Sequence, residues 1–261
     1  MLKSTHSTSA ELHARSVALV NSLDSNLRAI MLAWTVAASL ACGIRIAVTA
    51  AQGAELGHKL AALLPYSLVV AAPVASLMLA LYWFRNGAAA PQPRTRLARF
   101  GEWRQIPLAE AQRLPLYGVS GFMASLLVGM LINVPIRSLE FLAAIPAVTM
   151  RPHWLGWLST LMLADVVLLS SLYCIAFAAA LRRLPHFPRL LACVWVADIS
   201  MQILISRAMG AYAHLPPQVG GALDHLLQGN VKKVLISVAL WAPYLLLSRR
   251  VNLTFRHRLP A

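Results

Sequence analysis

Two aspartates sit inside apolar runs, where a charge is expensive, and any chemistry in this 261-residue chain starts from them. Asp165 lies 11 residues past Trp154, which is roughly 16 Å along a helix at 1.5 Å per residue. Asp198 lies 8 residues past Leu190, roughly 12 Å along its own helix. Both depths fall inside a hydrocarbon core of roughly 30 Å, where ionisable groups face protein or water. Burial favours the neutral form of a carboxylate unless a cation stands close. Each aspartate is therefore either a structural partner for Arg, Asn or Ser, or a protonatable group.

Polar neighbours recur at helical spacing. Gln202 and Ser206 follow Asp198 at four-residue steps, forming one stripe. Gly129, Asn133, Arg137 and Glu140 form a second, within about 80° on a helical wheel. Gly121 and Ser125 extend it as a small-residue seam, and Gly129 is expected at a close helix–helix contact. Arg45, Arg137 and Arg207 occupy similar depths on three helices, and Lys232 and Lys233 open a further one. Two readings compete for these cations. In one they snorkel to lipid phosphates. In the other, Arg45, Arg137 and Arg207, with Asn133, Glu140, Lys232 and Lys233, hold an anionic group such as a lipid phosphate or carboxylate. A further alternative gives Asp165 and Asp198 a proton-coupling role in a small transporter or channel.

Catalysis and metal binding find no pattern. His58, His153, His214 and His225, with Asp224 beside the last, lack HExxH or any ligand spacing. No nucleophile elbow, Walker loop or GxGxxG occurs, so an enzyme is not expected, nor any cofactor. Cys42, Cys174 and Cys193 lie in apolar segments without CxxC spacing and read as small packing residues.

The elements that position these residues follow from composition. Hydrophobic residues make up 59% of the chain and charged residues 12%, against roughly a quarter charged in a soluble domain. Long apolar runs predict spans near 27–50, 60–84, 115–142, 154–181, 188–211 and 231–248. Pro135 and Pro146 interrupt the third. Between the last two, Pro216-Pro217 and the spacing of Val219, Leu223, Leu226 and Leu227 predict a separate amphipathic helix on the membrane surface. The net charge is +14, but the basic residues lie between apolar segments rather than in a basic domain, so nucleic acid is not an expected partner. With the N-terminus inside, 16 of 23 Lys and Arg fall on the inner side, as the positive-inside rule requires.

The expectation is an all-α, polytopic transmembrane helix bundle of about six spans with both ends cytoplasmic. It divides into an amphipathic segment 1–26, a first helix pair 27–84, a basic linker 85–114, a four-helix unit 115–250 and a tail 251–261. In the first segment, Thr8 to Glu11 reads as a capping box opening a surface helix. The basic linker reads as an orientation signal attracted to anionic lipid.

The chain closes on Trp241-Ala242-Pro243-Tyr244, then Ser248-Arg249-Arg250-Val251 and Thr254-Phe255. This resembles the closing signature of a bacterial membrane family known as domain of unknown function 2569. Pro135-Ile136-Arg137 and Phe187-Pro188-Arg189 resemble two earlier motifs of that family, over about residues 113–257. The resemblance implies an inner-membrane location and four helices with cytoplasmic ends; it implies no activity. Residues 1–112, with two further helices, lie outside it. The expected partners are membrane lipids, including anionic ones, and a membrane protein.

Overall fold

The computed structural model describes residues 2–51, 56–95, 101–145, 153–212 and 216–261, with side chains from Glu11 on except 49–62. Pro146 and His214 lie outside the described residues, as do the side chains of His58 and of Thr8, Ser9 and Ala10 in the expected capping box.

Nine helices follow one another in the described residues: α1 (Leu2–Ser25), α2 (Leu27–Ala51), α3 (Leu56–Trp83), α4 (Leu108–Arg113), α5 (Phe122–Ala144), α6 (His153–Leu181), α7 (Phe187–Gly210), α8 (Pro217–Leu247) and α9 (Arg249–Arg256). Six of them, α2, α3 and α5–α8, are long and apolar enough to cross a bilayer. The chain is a multi-pass membrane protein.

Three expected boundaries move. The first helix starts at Leu2 rather than at Thr8. The third span starts at Phe122, because Gly121 takes φ 68°, a left-handed turn that suits glycine, and caps it. The separate helix before the last span does not exist: α8 runs unbroken from Pro217 to Leu247. Pro217 is its first residue, where a missing N–H costs nothing.

α6 is the central helix, packed against α3, α5 and α7. Its Ala176, Ala178, Ala179 and Ala180 are fully buried, so neighbouring backbones approach closely where no hydrophobic drive separates helix from lipid. α8 packs on α7 and α9. α6 ends in a Schellman motif: Arg183 (φ 56°) donates its N–H to the Ala180 carbonyl at 3.0 Å, and Leu184 to that of Ala179 at 2.8 Å. Gly87 passes against this end so closely that a Cβ would lie 2.8 Å from the Arg182 carbonyl oxygen.

The linker and the tail form one unit. β1 (Trp103–Gln105) pairs antiparallel with β2 (Arg258–Pro260), and α4 packs on α9. Val251, Asn252, Leu253 and Thr254 are fully buried there, and the Phe255 ring stands 5.0 Å from that of Phe187. Two of the motifs singled out in the sequence therefore touch. α1 joins the same face, where Ser16 Oγ accepts the Gly121 N–H at 2.7 Å and Asp24 pairs with Arg182 at 3.2 Å.

Candidate functional site

Asp165 stands 12 residues into α6 and Asp198 stands 11 residues into α7, about 18 Å and about 16 Å from the helix starts. Arg137 of α5 reaches both. Its Nη1 donates to Asp165 Oδ2 at 2.8 Å and its Nη2 to Asp198 Oδ2 at 2.7 Å. None of the three is more than 6% exposed. One guanidinium thus serves two carboxylates from two helices, one through each arm of its planar fork. Tyr173 donates its hydroxyl to Asp198 Oδ2 at 3.0 Å, and Gln202 donates to Asp165 Oδ1 at 2.9 Å.

From Gln202 the bonds continue outward. Asn230 Nδ2 donates to Gln202 Oε1 at 3.3 Å, Lys233 donates to Asn230 Oδ1 at 3.3 Å, and Lys233 pairs with Glu140. Glu140 lies one helical turn past Arg137. The polar bonds therefore form a closed circuit through α5, α6, α7 and α8. Desolvating these groups is repaid only when each finds a partner, so the circuit fixes the relative rotation of four helices. Two atoms remain unsatisfied. Arg137 Nε and Asp198 Oδ1 are buried without a hydrogen-bond partner among the described residues.

Both atoms belong to residues lining a cleft of about 150 Å³ between α5 and α8. Tyr173 and Trp195 form part of its floor, with Met130, Asn133, Asn230 and Ser237 on the walls. Gly129, Ile136 and Lys233 are exposed along its edges. The Glu140–Lys233 pair crosses it near one end. At the other, Phe122 lies 4.6 Å from Trp241 and 5.0 Å from Tyr244, ring centre to ring centre. The cleft is thus pinned at both ends and open along its length.

This arrangement sorts the expected site residues. Asn133, Arg137, Glu140 and Lys233 line the cleft, and Asp198 joins them on its floor. Asp165 binds Arg137 from behind. Arg45 does not join them: it donates to the Ile145 carbonyl at the end of α5. Arg207 and Lys232 are exposed and do not line the cleft, and Ser206 is likewise exposed. The expected cluster of three arginines around an anion is therefore not built, and both Nη atoms of Arg137 are already bonded to carboxylates. Gly129 also differs from expectation. A Cβ there would meet nothing within 4 Å, so its smallness opens space rather than admitting a helix.

Tyr173, Trp195, Asn230 and Ser237 are the cleft residues that sequence reasoning missed. Tyr173 lies eight residues after Asp165, on the same helical face, and Asn230 three before Lys233; that spacing was the available signal. No family model, curated protein or solved structure matches the chain.

Proposed function

We propose that this chain is a non-enzymatic component of the bacterial inner (cytoplasmic) membrane that holds the polar region of a lipid in the α5–α8 cleft, on its own or in support of a membrane-protein partner. One observation carries the reading: a cleft at bilayer depth, open along its side, is lined by Arg137 and Asp198, which hold an unsatisfied donor, Nε, and an unsatisfied acceptor, Oδ1. A hydroxyl or amide satisfies both kinds of atom at once, and apolar walls such as Leu126, Met130 and Val234 suit a hydrocarbon beside it. The same residues lie in the span that resembles the bacterial inner-membrane family.

Gly129→Leu tests this. A Cβ at this edge of the cleft meets nothing within 4 Å, so a side chain can be added there to obstruct the opening without displacing a neighbour at its root. Native mass spectrometry of mildly solubilised protein should find co-purified lipid on the wild type and much less on the variant, at unchanged melting temperature. Equal lipid on both proteins would overturn the reading.

A second reading has its own support. Two carboxylates share one guanidinium within the membrane, so one proton taken up there neutralises the trio. That chemistry suits a proton-coupled transporter using Asp165 and Asp198. Proteoliposomes carrying a pH-sensitive dye should then acidify under a proton gradient with the wild type and not with Asp198→Asn.

A further inference from the structure

The face opposite the Glu140–Lys233 end of the cleft carries a second, unrelated concavity. It measures about 370 Å³ and lies between residues 92–95, the start of α7, and the segment from α9 into β2. Arg94, Arg189, Arg256 and Arg258 all line it, with Thr95 and Gln105 among the remainder and no carboxylate among the described residues.

Arg189, Arg256 and Arg258 each bond a neutral oxygen. Asn252 is fully buried, and its Nδ2 donates to the Ser248 carbonyl at 3.0 Å, which fixes the amide. Its Oδ1 then accepts from Arg256 Nη1 and from Arg258 Nε, each at 2.8 Å. Arg258 is 6% exposed and stacks over the Trp103 ring, with its guanidinium carbon 4.9 Å from the ring centre. Arg189 donates to the Thr95 carbonyl. Arg256 Nη2 is buried with no hydrogen-bond partner among the described residues.

Three features make this arrangement unfavourable when empty. Four like charges converge on one space. Arg189 stands in the first turn of α7, where the helix dipole disfavours a cation and favours an anion. Desolvation first, and then the charges of Arg258 and Arg189, lower the Arg256 pKa to about 10. An anion in the concavity relieves all three at once.

We propose that this concavity is a binding site for a phosphate group. Several guanidinium forks converging on one space suit a group with three or more acceptor oxygens better than a carboxylate with two. The volume exceeds a bare phosphate, leaving room for the group it is attached to. The phosphate comes either from a lipid headgroup or from a soluble phosphate compound. This site is independent of the α5–α8 cleft, so the Gly129→Leu result does not bear on it.

The test uses the full chain, purified in a phosphate-free, uncharged detergent. One arm titrates inorganic phosphate and reads the melting temperature. The other adds phosphatidylglycerol or phosphatidylcholine to the micelles and reads the lipid retained by native mass spectrometry. The variants are Arg256→Gln and Gln105→Glu, which is exposed, isosteric and supplies an internal carboxylate. Arg104→Gln, outside the concavity, is the control for diffuse charge. Stabilisation by phosphate alone assigns a soluble ligand, and selective retention of phosphatidylglycerol assigns a headgroup. Either should weaken about ten-fold or more in both pocket variants and little in the control. Wild type indifferent to both probes overturns the proposal, as does Arg104→Gln falling as far as Arg256→Gln.

Discussion

Replacing Arg137 by Gln tests the circuit at its centre. The substitution leaves Asp165 and Asp198 buried at membrane depth without the cation both of them bond. Removing one partner of a buried ion pair typically costs about 3–5 kcal/mol, because the other charge stays behind. At roughly 2–4 °C per kcal/mol for a chain of this size, the melting temperature should fall by about 6–20 °C. The seven tryptophans make intrinsic fluorescence a convenient readout in detergent. The cause can be separated from mere loss of packing. Adding Asp165→Asn and Asp198→Asn removes the stranded charges, and the triple variant should recover at least half of the loss. An Arg137→Gln protein melting within about 2 °C of wild type would refute the reasoning, since it would mean the carboxylates do not depend on Arg137.

Two further perturbations probe the ends of the structure. Lys233→Glu should cost about 1 kcal/mol, because Lys233 is exposed and Glu140 half-buried, so solvent screens their pairing; adding Glu140→Lys should restore the wild-type melting temperature, and failure to restore it would mean that the two side chains do not pair. His257 has its pKa lowered by desolvation, so the folded unit disfavours the charged ring. Stability that is present above the ordinary histidine value, about 6.5, should therefore be lost as pH falls below it. His257→Asn, which tolerates the φ of 48° there, should flatten that loss in melts recorded across the same range.

The spans were legible because a run of apolar residues long enough to cross a bilayer has few other uses. Asp165 and Asp198 were legible for the related reason that a charge in such a run needs a partner. Which arginine supplies it was not legible. Helical spacing fixes the phase of Arg137 on α5 but says nothing of how α5 is turned toward α6 and α7, so Arg45 and Arg207 looked equivalent to it. Gly129 shows the same limit: its face was placed beside Arg137 correctly, but a small residue marks either a close approach or an open space. The break expected before residue 231 was misread because Gly229 and Asn230 lower helix propensity locally, while the packing of α8 carries the helix through them. The concavity on the opposite face was hidden for a different reason. Its strands are three residues each, too short for an alternation signal, and it needs residues 92–95 and 256–258 brought together across the whole four-helix unit.

The closed circuit also sets a timetable for the growing chain. Arg137 leaves the ribosome before any of its partners, and a lone guanidinium is unwelcome in hydrocarbon. Asp165 follows 28 residues later and Asp198 follows 61 residues later. At about 5–20 residues per second, Arg137 waits roughly 1–6 s for its first carboxylate. α5 and α6 therefore gain from entering the bilayer as a hairpin, with the first ion pair made during insertion. That pair is neutral until α7 brings the second carboxylate. Glu140 waits longest, since Lys233 comes 93 residues after it, so the α5–α8 edge of the bundle is the last to close.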